Sequence, residues 1–349
     1  MSLDRSDQGT GGRHAPRQDR QPVGADGRFV NLDGSTPQSL GAVLRWGVWD
    51  RLTGVRRRGP AGIPAPSVEA DLALLGRPPE PGEPARLTWL GHASWLVQLD
   101  GVSLLVDPVL GPQIYGGIRR SVAPGIAPGA LPPVDAALVS HSHYDHLDLP
   151  TLAAVKAPVV AGLGLADLFE AQGLAATELG WWRSATVGGV RITFVPSQHW
   201  SRRGLRDQNA TLWGGFAIEG RAARIYHSGD TAYFDGFREI GARFPGIDAA
   251  LLPIGAYDPA WFMEKQHMNP EQALQAFADL GAHTFVAMHW GTFKLTDEPL
   301  DEPPRRLEVE RRRRALPLER VRLLAVGETI EVGGGAPAIA PAPPAHPRG

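Results

Sequence analysis

Three histidines and one aspartate lie close together near the middle of this chain. They occupy the segment His141-Ser-His-Tyr-Asp-His146, directly after the apolar run at residues 134–140. Imidazole and carboxylate groups together suit zinc, iron and manganese, and thiolate ligands are excluded because the chain has no cysteine. A solvated polar turn is the alternative interpretation, but three histidines at this spacing rarely arise by chance. The cluster therefore predicts a metal site formed by His141, His143, Asp145 and His146.

Three further candidate ligands each follow an apolar strand elsewhere in the chain. His199 follows residues 194–198, Asp230 follows the strand at 222–226, and His289 follows the strand at 284–288. Taken alone, a histidine or aspartate after a strand is more often structural. If the strands lie side by side, however, their ends converge at one edge of the sheets, where binding sites are common. Together with the cluster they make seven ligands, as a two-metal site with a shared carboxylate needs.

The elements that must position these residues are mainly short strands rich in β-forming residues and separated by glycine-containing turns. Strands are predicted at 85–90, 94–99, 102–106, 134–140, 158–161, 189–195, 212–218, 222–226, 249–254 and 284–288, with short final strands in 321–332. Helices are predicted at 150–156, 164–172, 270–280 and 300–316. The Gly/Pro-rich stretch 107–133 is too long for a simple connector and is a candidate substrate loop.

The composition limits the classes of function. The chain has 349 residues, of which 43% are hydrophobic and 21% charged, as in ordinary globular proteins. The net charge of −2 gives no overall attraction to nucleic acid, and the basic run 311–314 lies beside Glu308 and Glu310, as on a solvated helix face. We therefore predict no nucleic-acid partner. No secretory signal or membrane-spanning run is visible, which favours a cytoplasmic protein.

The chain divides into four parts. Residues 1–35 are predicted to form a disordered N-terminal tail, because they contain too few large apolar groups to offset the entropy of ordering. Residues 36–84 form a helical or extended segment, residues 85–332 the main domain, and residues 333–349 a disordered Pro/Ala/Gly tail. Within the second part, residues 39–52 form an amphipathic helix with aromatic anchors, which either docks on the main domain or contacts a membrane surface.

These motifs resemble those of the metallo-β-lactamase superfamily. His-x-His-x-Asp-His, a later histidine, an aspartate in Ser-Gly-Asp-Thr and a last histidine closing a strand carry the resemblance. In that superfamily the fold is an α/β four-layer αββα sandwich with the site at one edge. The resemblance is stronger to the N-acyl-phosphatidylethanolamine-hydrolysing phospholipase D branch and covers most of residues 85–305. It rests on Trp89-Leu-Gly-His-Ala-Ser94, His143-Tyr-Asp-His-Leu-Asp148, Gly255-Ala-Tyr-Asp-Pro-Ala-Trp-Phe-Met263, Gln266-His-Met-Asn-Pro-Glu-Gln-Ala273 and Met288-His-Trp-Gly-Thr-Phe293.

The resemblance implies two Zn²⁺ ions per chain, with iron or manganese as alternatives. By carry-over, His141, His143 and His199 hold one ion. Asp145, His146 and His289 hold the other, and Asp230 bridges the two.

Two further positions match residues that contact the substrate head group in that branch, Tyr144 and His267. The alternative interpretations are a packing residue for Tyr144 and a helix-entry residue for His267. Among the other histidines, we expect a structural role for His92 and an orienting role toward Asp230 for His227.

The implied activity is that of a zinc-dependent phosphodiesterase that hydrolyses N-acyl-phosphatidylethanolamine to N-acylethanolamine and phosphatidic acid. A metal-bridging hydroxide would attack phosphorus, and Asp145 and Asp230 would orient it while serving as ligands. The implied partners are a phospholipid substrate, a membrane surface contacted peripherally, and a second copy of the chain in a homodimer. The alternatives are a binuclear-metal hydrolase of a soluble phosphodiester or lactone, a non-catalytic metal- or membrane-binding protein, and a di-iron redox site.

Overall fold

The structure, a computed structural model, describes residues 21–53 and 61–334. Most of its strands belong to two seven-stranded sheets. The first sheet contains β1 (Ala85–Gly91), β2 (Ser94–Leu99), β3 (Val102–Val106), β6 (Ala136–Val139), β7 (Val159–Gly162), β8 (Ala176–Leu179) and β16 (Thr329–Val332). The second contains β9 (Arg183–Val187), β10 (Val190–Val195), β11 (Gly215–Glu219), β12 (Arg224–His227), β13 (Ala249–Pro253), β14 (Thr284–Met288) and β15 (Val321–Arg322). A separate hairpin is formed by β4 (Gln113–Ile114) and β5 (Ile118–Arg119).

The helices are short, and most connect strands. They are α1 (Leu40–Leu44), α2 (Asp50–Leu52), α3 (Leu72–Leu75), α4 (Leu149–Val155), α5 (Ala166–Glu170), α6 (Gly236–Arg243), α7 (Ala260–Met263), α8 (Pro270–Leu280) and α9 (Glu302–Arg313). A π-helical turn at Arg45–Trp49 joins α1 to α2, and 3₁₀ turns lie at Tyr115–Gly117, Pro128–Ala130 and Leu318–Arg320.

The two sheets have matching topologies. Their strand orders are β16-β1-β2-β3-β6-β7-β8 and β15-β14-β13-β12-β11-β10-β9. The chain pairs antiparallel from β16 to β3 and parallel from β3 to β8. The second sheet repeats this division, antiparallel from β9 to β12 and parallel from β12 to β15. Because neighbouring parallel strands end at the same edge, the residues that follow them are brought together.

The core lies between the two sheets and continues outward under the helices. Trp95 and Leu104 of the first sheet belong to the same buried cluster as Phe216 and Phe285 of the second. That cluster extends to α6 and α8, while α4 and α5 cover the outer face of the first sheet through a smaller cluster. The layers are therefore helix, sheet, sheet and helix, and the predicted α/β four-layer sandwich is confirmed.

The N-terminal segment differs from the expectation. Residues 21–35 were expected to belong to a disordered tail, but they lie against the main domain. Val23 and Phe29 form a β-bridge, and Asn31 is only 3% exposed. Many of the contacts that attach this segment are polar, with Phe29 packing against the core, which is why its composition was misleading. The remainder of the two predicted tails, residues 1–20 and 335–349, lies outside the described residues.

The predicted amphipathic segment is helical from Leu40 to Leu52, with the Ser39 side chain accepting the N–H of Ala42 at its start. One face docks on the domain, since Trp46 stacks on Phe262 with ring centroids 4.8 Å apart. The opposite face is exposed. The three arginines that follow at residues 56–58, which the sequence pairs with this helix as a basic flank, lie outside the described residues.

Some elements were not predicted, and others have different bounds. Strands β8 and β9 and helices α6 and α7 were not predicted because they are short, with at most eight residues each. The predicted loop 107–133 contains the β4–β5 hairpin. Helix α9 is shorter than predicted, and its arginines 311–314 pair with Glu308 and Glu310. Within residues 21–53 and 61–334, no helix has both the length and the apolar character needed to cross a bilayer.

Candidate metal centre

All seven predicted ligands converge where the ends of the two sheets meet. The cluster at 141–146 follows β6 of the first sheet, whereas the later ligands follow β10, β12 and β14 of the second. The nitrogens of His141, His143 and His199 form one group, in which all ligand atoms lie within 4.8 Å of one another. The side chains of Asp145, His146 and His289, joined by His92, form a second group within the same limit. We call these the first and second groups.

Asp230 lies between the two groups. Its Oδ2 is 3.2 Å from Nε2 of His146 and 3.8 Å from Nε2 of His199, while its Oδ1 is 3.2 Å from Nε2 of His289. A carboxylate that contacts both groups occupies the position expected of a bridging ligand. The division into two triads and one bridge thus has a geometric counterpart, although the ligand roles stay a prediction.

The turn before Asp230 needs a glycine. Gly229 has φ of 59°, and a Cβ there would lie 2.5 Å from the carbonyl oxygen of Gly214 and 2.9 Å from Cβ of Ser140. His227 also fixes this turn, because its Nδ1 accepts the N–H of Gly229. His227 therefore orients Asp230 indirectly, by fixing the backbone of the turn that precedes it.

In two histidines of the first group, a hydrogen bond from Nδ1 leaves Nε2 unprotonated and able to bind a metal ion. Ser140 Oγ donates to Asp107, so that it accepts from Nδ1 of His141 at 2.9 Å and leaves Nε2 of His141 without a proton. Nδ1 of His199 donates to the carbonyl of Gln266 at 2.8 Å, which frees its Nε2 in the same way. These two Nε2 atoms lie 2.9 and 3.2 Å from Nδ1 of His143. Three nitrogens thus face one point, as the ligands of one ion must.

The second group is oriented by a carboxylate that sequence reasoning missed. Asp107 accepts Nδ1–H of His146 at 2.7 Å and both the backbone N–H and the hydroxyl of Ser140. His146 is thereby held with its Nε2 toward Asp230. Asp107 directly follows β3, at the same edge as the ligands, and that position was the signal that could have revealed it. Carboxylate–histidine pairs of this kind commonly orient metal ligands.

His92, for which a structural role was expected, also contacts the second group. Its Nε2 lies 3.1 Å from Oδ2 of Asp145, and its ring centroid is 3.9 Å from that of His289. The backbone of His92 carries structural contacts as well, because its carbonyl accepts from Nε1 of Trp89 and from the N–H of His289. His92 therefore joins the strand turn to the second group.

A metal ion would provide a partner for buried polar atoms of this centre that have no hydrogen bond. Buried polar groups normally have hydrogen-bond partners, and unpaired ones are costly. Here several buried atoms of neighbouring side chains have none, and they belong to the candidate ligands and to their immediate neighbours. Those that face other candidate ligands are Nε2 of His146, Nε2 of His289 and Oδ1 of Asp230, where the nitrogens lie 3.2 Å from an oxygen of Asp230 without the geometry of a hydrogen bond. The donor set is nitrogen and carboxylate oxygen, which is suited to zinc, iron or manganese.

The two groups differ in protonation. Burial lowers the pKa of His143 to about 4 and lowers the pKa values of His141 and His199 well below 6.5. The first group is therefore neutral at pH 7 and can donate lone pairs directly. Burial also acts on His289, but the carboxylates of Asp230 and Asp145 outweigh it and raise its pKa to about 9. Ions in the second group would therefore have to displace a proton from His289.

The two predicted substrate-binding residues lie in different surroundings. His267 belongs to the centre, since its Nδ1 is 3.8 Å from Oδ2 of Asp230 and its ring is 5.1 Å from that of His199. Tyr144 lies in an adjoining cleft of about 310 Å³. Its hydroxyl donates to the carbonyl of Arg203, and its ring stacks on that of Tyr115. The cleft is lined by Tyr115, Tyr144, Trp200, Arg202, Arg203, Gly204 and Leu205.

Residues 103–290 match the family model described as the Beta-lactamase superfamily domain, and this range contains all seven candidate ligands. The chain therefore belongs to the β-lactamase superfamily. A solved structure of a metallo hydrolase from Ignicoccus hospitalis is similar in fold, with a TM-score of 0.54 at 23% identity, over 71% of this chain and 97% of that chain. The family and fold that the motifs predicted are confirmed.

Proteins of similar sequence indicate the class of enzyme within the superfamily. An uncharacterised protein of Mycobacterium tuberculosis is 38% identical over 306 residues, which are 83% of this chain and 79% of the relative. The N-acyl-phosphatidylethanolamine-hydrolyzing phospholipase D 1 of Caenorhabditis elegans is 38% identical over 242 residues, 63% of this chain and 68% of the relative. A metal-dependent hydrolase of Opitutus terrae is 34% identical over 253 residues, 71% of this chain and 100% of the relative. The protein is accordingly a metal-dependent hydrolase whose centre has histidine and aspartate groups able to bind metal.

The orientation of His146 by Asp107 can be tested directly. In Asp107→Asn the carboxylate that accepts Nδ1–H of His146 is lost, and we expect zinc in the second group to bind about 10- to 100-fold more weakly. Chelator competition with the metal-free protein measures this affinity. Asp135→Asn is the matched control, because Asp135 accepts a backbone N–H from Ser103 at the other end of β3. Wild-type zinc affinity in folded Asp107→Asn would contradict the orienting role.

Proposed function

We propose that this metal-dependent hydrolase is a zinc-dependent phosphodiesterase that cleaves N-acyl-phosphatidylethanolamine into N-acylethanolamine and phosphatidic acid. The name of the relative from Caenorhabditis elegans supports the substrate class. The structural observation that carries the proposal is the exposed apolar face of the helix at residues 40–52. This helix packs on α7, which leads into the metal centre. A hydrolase of a soluble substrate has no evident need for such a surface.

The exposed face of the segment 40–52 has the character of a membrane-binding surface. Leu44, Val48 and Leu52 are four residues apart and therefore share one side of the helix, and Trp49 adjoins them. Trp49 is 64% exposed and Leu52 is 79% exposed. Arg45 lies over the ring of Trp261 at 4.4 Å, beside this face. Apolar side chains flanked by arginine suit a surface that contains anionic lipid.

The same helix is connected to the metal centre through α7. Trp46 stacks on Phe262 of α7, and Gln38 donates to the Phe262 carbonyl at 2.8 Å. A few residues after α7, the carbonyl of Gln266 accepts from the candidate ligand His199, and His267 enters the centre. A phospholipid bound at the helix face would thus lie beside the residues that carry out hydrolysis.

The chemistry divides between the metal ions and the side chains. Two bound zinc ions would activate water for attack on phosphorus and offset the charge of the phosphate. Asp145 and Asp230 would fix the direction of that attack, because each is a carboxylate shared with the histidines around it. Burial lowers the pKa of His267 to about 4, so its ring is neutral at pH 7. Nδ1 of His267 is unpaired and is available to a phosphate oxygen or to the head group.

The cleft beside the centre would receive the part of the substrate next to the phosphate. Trp200 connects it to the centre, with its ring 4.5 Å from that of His143. Because the Tyr144 hydroxyl is occupied by a carbonyl, Tyr144 offers the face of its ring, with the Arg203 guanidinium 4.1 Å from the ring centroid. Tyr115 and Leu205, which are 72% and 90% exposed, supply apolar area at the rim. Aromatic and apolar groups beside a guanidinium suit an amphiphilic phosphate ester.

The substrate proposal predicts a defined product pair. Zinc-loaded protein should convert N-acyl-phosphatidylethanolamine in mixed micelles to N-acylethanolamine and phosphatidic acid, measured by mass spectrometry. Turnover of bis(p-nitrophenyl) phosphate and of simple lactones should be much slower. His143→Ala should lose all of these activities, because it removes a nitrogen of the first group.

The alternatives predict different outcomes for the same panel. Turnover of bis(p-nitrophenyl) phosphate or a lactone without turnover of the lipid would retain the hydrolase and reject the phospholipase. Absence of every activity in the fully metal-loaded protein would favour a non-catalytic binding protein.

Membrane contact predicts a specific pattern of substitutions. Trp49→Asp combined with Leu52→Asp should weaken binding to anionic liposomes at least about tenfold, because charged groups replace exposed apolar area. Sedimentation with the vesicles measures the binding. Trp46 is unsuitable for this test, since its ring packs on the domain. Val309→Asp with Leu318→Asp, at two exposed apolar positions on other elements, is the matched control.

Equal liposome binding by the wild type and the Trp49/Leu52 variant would contradict the membrane role of this face. Turnover of soluble bis(p-nitrophenyl) phosphate should be unchanged in the same variant, which separates membrane binding from catalysis. The homodimer and the cytoplasmic location implied by the sequence stay predictions.

A further inference from the structure

The N-terminal segment makes an unusual contact with a candidate metal ligand. The side chain of Asn31 bonds to both backbone groups of His199. Its Oδ1 accepts the N–H of His199 at 3.1 Å, and its Nδ2 donates to the carbonyl of His199 at 2.9 Å. A carboxamide carries one acceptor and two donor hydrogens, so it can pair with a peptide unit as a neighbouring strand would.

The rest of Asn31 is fixed by a second set of bonds. Oδ1 also accepts from Nε1 of Trp213 at 3.1 Å, and Nδ2 also donates to the carbonyl of Ser35 at 3.3 Å. The side chain is buried, at 3% exposure. Asn31 is therefore anchored on both sides and can hold His199 in one place.

Neighbouring residues reinforce the contact. The side chain of Gln198, directly before the ligand, donates to Asp33 and to the hydroxyl of Ser35, both at 2.8 Å. The N–H of Phe29 donates to the carbonyl of Asn209 at 3.0 Å. Segment 28–35 thus runs along the loop that carries His199.

His199 needs such support more than Asp230 and His289 do. Residues 196–214, between β10 and β11, contain no named helix or strand, and His199 lies four positions beyond the end of β10. By contrast, Asp230 and His289 lie within three residues of a strand end. Fixing an irregular backbone costs about 1–2 kcal/mol per residue, so an isolated loop would hold a ligand poorly. Asn31 holds the backbone of His199, and the bond to the carbonyl of Gln266 holds its ring.

We propose that Asn31 is a positioning residue for the metal ion of the first group, and that segment 28–35 is a functional part of the metal site. Asn31 does not touch the metal or the substrate. It fixes the peptide of His199, so that Nε2 of His199 meets the nitrogens of His141 and His143 at one point. The inference rests on the metal-binding part of the proposed function and is independent of the lipid substrate.

The test compares zinc affinity with fold stability. Asn31→Ala removes all of the bonds to His199, and we expect zinc in the first group to bind about 10- to 100-fold more weakly, with the second ion unchanged. Competition of the metal-free full chain with a chelator measures both affinities, and thermal unfolding of the metal-free proteins measures stability.

Asn209→Ala is the matched control. Asn209 is also a buried asparagine that contacts this loop, but it accepts the N–H of Ser201 instead of bonding to a ligand. We expect it to lower thermal stability while leaving both zinc affinities at the wild-type value. An equal loss of zinc affinity in Asn209→Ala and Asn31→Ala would reduce the role of Asn31 to general loop packing and overturn the inference.

A second variant guards against misfolding. Asn31→Asp keeps the acceptor for His199 and Trp213 but loses the donor to the His199 carbonyl, so the affinity for the first ion should still fall. Wild-type affinity for the first ion in both Asn31→Ala and Asn31→Asp would overturn the proposal. Failure of the wild type itself to bind two ions would instead reject the metal assignment.

Discussion

The structure depends on holding a dense set of polar groups in a buried place. Two carboxylates and seven imidazoles meet where the ends of the two sheets come together, and several of their atoms have no protein partner. Burying such groups without compensation is expensive, because they lose water and gain nothing in return. Bound cations would remove this cost, while the surrounding fold determines where each lone pair points. The parallel strands, the glycine turn before Asp230 and the carboxylate of Asp107 all contribute to that geometry.

The convergence of the candidate ligands could be predicted because several of them obey a local rule. His141, Asp230 and His289 lie just after apolar strands, and parallel strands bring such positions to one edge. The pattern required no knowledge of long-range contacts. Asp107 obeys the same rule after β3, yet a single aspartate before a proline carries too little information to be singled out.

The residues that could not be predicted act across long separations. Asn31 and His199 are 168 positions apart, and nothing in the polar composition of residues 1–35 indicates that they would meet. The composition correctly describes a segment with little apolar area, but hydrogen bonds to a ligand loop can order such a segment. Likewise, the pattern of residues 39–52 predicted an amphipathic helix without indicating which tryptophan packs inward. Only the stacking of Trp46 on Phe262 distinguishes it from the exposed Trp49.

Two parts of the chain outside the sheets thus reach the same centre. Segment 28–35 contacts His199. The helix at 40–52 packs on α7, and the chain leads from α7 to Gln266 and His267 at the centre. Both parts belong to the stretch before residue 85, where the motifs of the superfamily give no guidance. The N-terminal part thus contributes contacts to the centre, while the candidate metal ligands follow strands of the two sheets.

The most direct test is the number and position of bound metal ions. Metal analysis of the purified full chain, combined with anomalous diffraction at the zinc edge, gives both. We expect two ions per chain, one among His141, His143 and His199 and the other beside Asp145, His146 and His289, with Asp230 contacting both. A single ion, or ions away from these side chains, would contradict the two-metal centre.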